Sequence, residues 1–401
     1  MEINRELIQR IRNEYGEAFY ILDSNMFKTN YNELKSAFSA IYSDFNLAYS
    51  YKTNYTPKLC KIVKELGGYA EVVSEMEVRL ALQCGVSPEK IIWNGPIKKE
   101  DEIKNFLLQG GNVNVDSIEE AEYIHRIAQN EKKHLNVGIR CNYDVGDGVV
   151  SRFGLDVTGK DFWKTFELLT SSENIHFTGF QCHYAKRDLD YWPARVNKML
   201  KLIDQCGIIP ERIDIGGGLY GKMEESLKKQ FSKNIPTYAD YAKIVATEFN
   251  DYFSDKCNRP ELLIEPGTAL VGNCMQFVGT VKTIKSIRGK KFATVLGSQK
   301  NINMGGVNPP ITVINMGTAE RLENVDLVGY TCIEGDILYR NYSGNIAEGD
   351  VVIFNNCGSY SLVMKPPFIL PNFPMIEIEN NEITVIKTKE DFYDIFHTFQ
   401  I

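Results

Sequence analysis

The chain has 401 residues, more than one typical domain and about right for two. Its 45 Lys and Arg against 52 Asp and Glu give a net charge of −7, which argues against nucleic acid or an anionic membrane surface as the main partner. No apolar run reaches the length that spans a bilayer, and the start is charged and helix-like with no apolar signal core, so a cytoplasmic protein is expected.

From about residue 47 to 270 one unit recurs: a short apolar strand, a turn, an amphipathic helix. A helical stripe of Leu34, Phe38, Ile41 and Phe45 precedes the first strand. Strands are predicted at 47–51, 69–73, 91–94, 112–116, 135–141, 177–183, 212–216 and 261–265. Between them, Ile118, Ala121, Ile124, Ile127 and Ala128 share one helical face, opened by a Ser117/Glu120 capping box. Met199, Leu200 and Ile203 make another stripe, closed by Gly207. Eight such units match a (β/α)8 TIM-like barrel, with an open doubly wound sheet as the competing arrangement. After about residue 270 alternation replaces helical periodicity. A strand is predicted at 277–284, and 376–379 with 383–386 reads as a hairpin around Asn380-Asn381. The fold class is therefore α/β plus β: a barrel over 30–270, and a mostly β domain from 1–29 and 271–401. Nine cysteines, with no Cys-x-x-Cys pair, read as buried free thiols and not as a disulfide frame or zinc site, and no metal is expected.

Four features carry possible chemistry. Lys52 sits where the first strand gives way to a loop; it is either a solvated charge or a desolvated amine able to form a Schiff base. Gly216, Gly217 and Gly218 follow the seventh strand, and their backbone N–H groups can turn toward an anion or simply make a tight turn. The G-x-G-x-x-G spacing there belongs after a first strand in dinucleotide folds, and Met223 follows Lys222 where a phosphate loop needs a hydroxyl. Glu265 closes an apolar strand, which is costly unless it meets a cation: a neighbouring side chain or a pyridinium N–H. His183 ends another strand, either as a hydrogen-bonded core residue or as a flat ring that stacks on a cofactor.

In order along the chain, these residues resemble the fold type III pyridoxal phosphate enzymes, the group of diaminopimelate, ornithine and related amino-acid decarboxylases. Phe19-Tyr20-Ile21-Leu22-Asp23 looks like the family's opening strand, and Tyr49-Ser50-Tyr51-Lys52-Thr53-Asn54 is similar to its lysine motif. Glu71-Val72-Val73-Ser74, Asn94-Gly95-Pro96 with Lys98, Ser151-Arg152-Phe153-Gly154, His183, the three glycines and Glu265-Pro266-Gly267 follow. Gly329-x-x-Cys332 with Asp336, and Gly358-Ser359-Tyr360, match the two signatures of the β domain.

The resemblance implies roles. Lys52 would carry pyridoxal 5'-phosphate, and Glu265 would pair with its ring nitrogen. Gly216, Gly217, Gly218 and Tyr360 would bind the phosphate, His183 would stack on the ring, and Glu71 and Gly267 would complete the cofactor site. The site would be shared across a homodimer, with Cys332 and Asp336 from the partner chain and Cys332 as proton donor.

The departures bear on substrate. The arginine after Glu-Pro-Gly is Thr268, the acid after the cysteine is Ile333 with Glu334 one place later, and the serine three residues past the histidine is Lys186. The family's Asp-Gly-Gly-Met segment, which leads to an arginine, is Leu296 to Asn301 here. The expectation is a decarboxylase of an amino acid or modified amino acid, not meso-diaminopimelate. Asp336, Glu334 and Thr268 are substrate candidates, and Lys186 and Lys300 are candidate contacts to added anionic groups. The alternatives are a racemase on the same cofactor and a non-catalytic cofactor-binding homologue.

Overall fold

The structure is a computed structural model that describes residues 3–256 and 258–400. The chain forms two compact units. One comprises residues 28–220 and 235–269; the other takes the remainder, with 221–234 included.

In chain order the strands begin with β1 (Ala18–Leu22), β2 (Phe45–Ser50), β3 (Tyr69–Val72), β4 (Ile91–Trp93), β5 (Asn112–Val115) and β6 (Leu135–Asn142). They continue with a two-residue β7 (Leu155–Asp156), then β8 (Ile175–Gln181), β9 (Arg212–Asp214) and β10 (Glu261–Ile264). The first unit is a barrel. Its strands run in the order β5-β4-β3-β2-β10-β9-β8-β6, every neighbour pairs in parallel, and β5 pairing with β6 closes the ring. Closure excludes the open doubly wound sheet. The eight barrel strands are the eight predicted ones, within about two residues at each end. They are legible as short apolar-rich segments recurring between amphipathic helices. β7 pairs only with β6 and has no such segment.

The helices between the strands bury the predicted stripes. In Ile118–Glu131 the buried residues are Ala121, Ile124, Ile127 and Ala128. Gly207 closes Trp192–Cys206 in the left-handed region at φ 66°. One stripe is shorter than expected. The helix Ser24–Ser39 ends before Ile41, and Phe45 opens β2, where it stacks on Phe38 at 4.6 Å. The capping box also differs from expectation. Ser117 Oγ accepts from the Glu120 N–H, but the Glu120 carboxylate takes the Asp116 N–H, one residue earlier, and the ammonium of Lys98. Lys98 is thereby spent on an ion pair.

The second unit is a mixed sheet of β1 with β11 (Met275–Ile287), β12 (Lys290–Val295), β13 (Ile311–Ile314), β14 (Arg321–Val328), β15 (Ile337–Asn345), β16 (Val351–Phe354), β17 (Met375–Glu379) and β18 (Glu382–Lys387). β1 lies between β11, antiparallel, and β17, parallel. The helix Arg5–Tyr15 buries Ile8 and Ile11 against Phe19, Val278, Val351 and Ile376. β17 and β18 form the predicted hairpin, and both Asn380 and Asn381 have positive φ, 50° and 65°, as a two-residue turn of that twist requires.

Among the described cysteines none is bridged. Cys60, Cys84, Cys141, Cys182, Cys274 and Cys357 are buried, Cys206 is half-buried and Cys332 is exposed. No helix among the described residues is long and apolar enough to cross a membrane, and no cluster of three metal-ligating side chains occurs among them.

Glu77 yields a stability test. It lies in the first turn of Glu75–Gln83, buried, with its carboxylate accepting from the Val73 N–H at 2.7 Å. Burial, and then the Glu71 charge, push its pKa up to about 7, against the Val73 N–H and Lys52. The unfolded chain ionises this group near the ordinary value, so folding is penalised as pH rises from there through about 7. Glu77→Gln keeps an acceptor for Val73 and removes the charge. Its melting temperature should exceed that of the parent above pH 7, and the gap should close near pH 4. A gap that widens toward acid pH in thermal melts refutes the assignment.

Candidate active site

The carboxyl ends of several barrel strands meet at one face, where barrels carry their chemistry. β2 ends at Ser50, and the chain tightens into one 3-10 turn, Tyr51–Thr53, in which Tyr51 and Thr53 are buried. The Tyr49 hydroxyl donates to the Asn54 carbonyl at 2.6 Å and holds the turn shut. Lys52 is left half-buried, paired with the Glu71 carboxylate at the end of β3. Ser50 Oγ donates to the same oxygen at 2.7 Å. Lys52 is therefore an amine fixed by an ion pair, its side chain 29% exposed.

Glu265, immediately after β10, is 2% exposed. Its Oε1 accepts from Asn94 Nδ2 at 2.6 Å and from Gln181 Nε2 at 2.8 Å. Asn94 also reaches Glu71 Oε1 at 3.3 Å, while Asn114 Nδ2 donates to Asn94 Oδ1 at 2.7 Å and thereby fixes which way the Asn94 amide points. Burial, reinforced by the Asp214 and Glu71 carboxylates, raises the pKa of Glu265 well above the usual range, against the pull of Lys52 and Arg140. Burial thus favours the neutral carboxyl, and a cation placed beside it would favour the ionised form.

His183 lies just past β8. Its pKa is driven well below the ordinary value by burial and by the Lys52, Arg195 and Arg140 charges. Nδ1 accepts the Gly217 N–H at 3.0 Å. The ring is neutral, so its 3.6 Å approach to Glu265 Oε2 is not an ion pair.

The glycine loop follows β9. Gly216 and Gly218 have φ of 75° and 90°, and a Cβ on Gly217 would lie 2.4 Å from the Glu265 carbonyl oxygen. The expected cradle is modified: the Gly216 N–H goes to Asp214 Oδ1 at 2.8 Å and the Gly217 N–H to His183. Two of the three glycine N–H groups are thus engaged within the protein. Arg195, fully buried on Trp192–Cys206, donates to the Gly217 carbonyl at 2.7 Å and the Tyr184 carbonyl at 3.1 Å.

Gly267 packs on Thr53, where a Cβ would meet Oγ1 at 2.0 Å. Thr268 begins a short helix, and its Oγ1 accepts from Arg187 Nη2 at 3.3 Å. A guanidinium from another loop thus reaches the position whose own arginine is missing. Lys186, beside it, is exposed.

The fold brings Lys52, Glu71, His183, Gly216, Gly217, Gly218, Glu265, Gly267 and Thr268 together in the barrel unit. Sequence reasoning missed Asn94 as a carboxyl partner, and Gln181, Asp214, Arg187 and Arg195. Asn94, Gln181 and Asp214 had a usable signal, since each is a polar residue at or next to the end of an apolar strand. Arg195 had none.

Cys332, Glu334, Asp336 and Tyr360 belong to the other unit. Cys332 and Glu334 are exposed on the loop between β14 and β15. Asp336 ends that loop, buried, with Oδ1 accepting from the Gln299 N–H at 2.6 Å and Oδ2 from the Thr331 N–H and hydroxyl. Both carboxylate oxygens are therefore occupied by the protein itself. Tyr360 is held at φ 57°, a conformation that bulky residues seldom adopt outside constrained sites, and its carbonyl accepts from Asn303 at 3.2 Å.

Residues 26–272 match the family described as pyridoxal-dependent decarboxylase, pyridoxal binding domain. The chain is similar to the diaminopimelate decarboxylase of Aquifex aeolicus, 27% identical over 96% of this chain and 92% of that one. It is also similar to that of Archaeoglobus fulgidus, 26% identical over 97% and 94%. Among solved structures it resembles the diaminopimelate decarboxylase of M. jannaschii in complex with L-lysine, with a TM-score of 0.86, 25% identity and 98% and 94% coverage. The lysine/ornithine decarboxylase of Vibrio vulnificus shares the fold at a TM-score of 0.77 and 19% identity, over 94% of this chain and 98% of that one. The chain belongs to the pyridoxal-dependent decarboxylases and is a pyridoxal phosphate-dependent carboxy-lyase of the fold type III group.

Proposed function

We propose that the protein decarboxylates an amino acid carrying an additional anionic group, that meso-diaminopimelate is not its substrate, and that it does so as a homodimer with shared active sites. The observation that carries the substrate reading is the occupied state of Asp336 together with the Arg187–Thr268 contact. A distal ammonium needs a carboxylate to read it, and Asp336 is committed to the Gln299 and Thr331 groups. The acid expected after Cys332 is Ile333. The charge that reaches Thr268 is the Arg187 guanidinium. The similar proteins named diaminopimelate decarboxylase support the reaction class; at 26–27% identity they leave room for another substrate.

The barrel residues fit the cofactor. A buried carboxyl whose pKa is raised by burial and neighbouring carboxylates has room for a cationic ring N–H beside it, and an ion-paired amine lies at the same barrel end. Lys52 would hold the cofactor covalently, steadied by Glu71. Bound there, pyridoxal phosphate supplies an electron sink for the pair left behind by carbon dioxide. Glu265 would hold the ring proton at Oε2, since Asn94 and Gln181 both occupy Oε1. His183, neutral and fixed through Nδ1, would cover a ring face without adding a charge. The phosphate would lie against the glycine loop from Gly218 onward and Tyr360. Gly267 and its neighbour Thr53 would close the wall behind the Lys52 turn. Cys332 Sγ would deliver the proton that replaces carbon dioxide, from the partner chain. Glu334 remains a second acid on the same loop. A racemase would need a base on each face; loss of carbon dioxide separates the two reactions.

Three experiments test this reading. Borohydride reduction of the loaded enzyme, then peptide mapping, should place the pyridoxyl group on Lys52; a label on Lys186 or Lys222 removes that assignment. Lys52→Ala and Cys332→Ala should each be nearly inactive, the latter by about 10²–10⁴-fold as for a lost general acid. Mixing them under subunit exchange should restore activity, and no recovery after confirmed exchange means that each chain builds its own site. Finally, kcat/KM for meso-diaminopimelate, ornithine and lysine should fall below about 10⁴ M⁻¹s⁻¹, the lower end of the usual enzyme range. A higher value for any of them rejects the substrate proposal.

A further inference from the structure

The β unit contains a cavity of about 500 Å³, built by three segments: 298–300, 330–336 and 365–368. The loop that carries Cys332 forms one wall through Thr331 and Ile333. Two lysines line the cavity. Lys300 is exposed at its edge, while Lys365 is 6% exposed.

Lys365 is an uncommon residue to bury. Its Nζ donates to the carbonyl of the adjacent Pro366 at 3.3 Å and lies 6.0 Å from the centre of the Phe373 ring. Among the described residues no carboxylate stands within ion-pair distance of it. The carboxylate whose charge acts on it, Glu390, is held by Lys387 at 3.0 Å and by Asn372. Burial depresses the Lys365 pKa, the expected response of an ammonium taken from water without a counter-ion. Such a group is costly to maintain for stability alone.

Asp336 also lines the cavity, but its oxygens are committed to Gln299 and Thr331. Gly329 makes that fold-back possible, because a Cβ there would lie 2.1 Å from the carboxylate. The aspartate acts as a staple between two cavity walls and sets one negative charge against the two lysines. The cavity therefore offers a net positive interior beside the cysteine loop.

We infer that this cavity is the subsite that reads a carboxylate on the substrate side chain, with Lys365 as its specificity-determining cation and Lys300 as a secondary one. One buried ammonium balances one negative charge, which fits a carboxylate better than a phosphate, whose charge at neutral pH is about −1.5 to −2. The inference rests on the reading of the substrate as acidic. It assigns Lys365, which no sequence motif pointed to, and it recasts Asp336 as a positioning residue.

The test is titration calorimetry on the pyridoxal phosphate-loaded enzyme, with glutarate, pentane-1,5-diamine and inorganic phosphate as probes. Glutarate should bind at least tenfold more tightly than either of the others. Lys365→Met should weaken glutarate by tenfold or more, Lys300→Met by less, and Lys365→Arg should stay within about threefold of the parent. Thermal melts establish that each variant is folded. Should Lys365→Met fail to fold, the parent and Lys365→Arg decide: no preference for glutarate over the diamine overturns the proposal, and tighter phosphate overturns the choice of carboxylate. Equal glutarate affinity in the parent and in folded Lys365→Met also overturns it. Carbon dioxide release from an amino-acid panel is read separately. Lys365-dependent glutarate binding with release confined to amino acids lacking a second acid shows an anion site at Lys365 but overturns its assignment to the substrate side chain, and with it the acidic-substrate reading.

Discussion

A carboxyl group without a cation of its own is the constraint around which the barrel end is arranged. Glu265 is taken from water by β10 and its neighbours, and two other carboxylates, Asp214 and Glu71, stand close enough to raise its pKa further. The fold answers with amides and not with a positive side chain. Asn94 and Gln181 satisfy one oxygen, and Asn114 orients Asn94. An arginine in their place would have made a stable ion pair and left nothing for a ring nitrogen to do. Glu71 is kept occupied by Lys52 and Ser50, so that lysine is fixed on one acid while a second acid stays available. The electrostatic asymmetry between two carboxyl groups in one small volume is a functional-site signature.

The backbone around the site is under a similar accounting. Every buried N–H and carbonyl needs a partner, and the glycine loop shows where they go. Asp214 and His183 take the first two N–H groups, and Arg195 takes the Gly217 carbonyl. These bonds hold the loop in left-handed turns, which glycine makes without strain, at the alternate positions Gly216 and Gly218. They also fix the His183 tautomer: with Nδ1 as an acceptor, the ring carries its hydrogen on Nε2. Loop shape, ring protonation and carboxyl protonation are thus set by one connected network.

In the β unit the same economy appears in the loop between β14 and β15. Asp336 folds beneath Gly329, binds the turn at Gln299 and leaves Cys332 exposed at the loop's crest. A cysteine with that exposure contrasts with the six buried thiols among the described residues, which serve as small apolar core residues. Tyr360, held in a left-handed conformation, is the other strained element of this unit at a motif position.

The amino-acid sequence by itself determined the elements whose signal is local. Short apolar-rich segments recurring between amphipathic helices marked all eight barrel strands, although β5, β6 and β9 carry polar residues within them. Glycine and asparagine marked the turns at Gly207 and Asn380-Asn381, because few other residues adopt positive φ cheaply. Lys52, His183 and Glu265 could be named as candidates because a polar residue ending an apolar strand is conspicuous. What the sequence could not show is which of two chemical options each candidate takes, since that depends on partners far away along the chain. Lys52 meets Glu71 across 19 residues, Glu265 meets Asn94 across 171, and Thr268 meets Arg187 across 81. The closure of the sheet through β5 and β6, the capture of the Gly216 and Gly217 N–H groups, and the occupation of Asp336 were likewise decided only in three dimensions. Hydrogen bonding is satisfied by proximity in space, and proximity between distant segments leaves no mark in composition or periodicity.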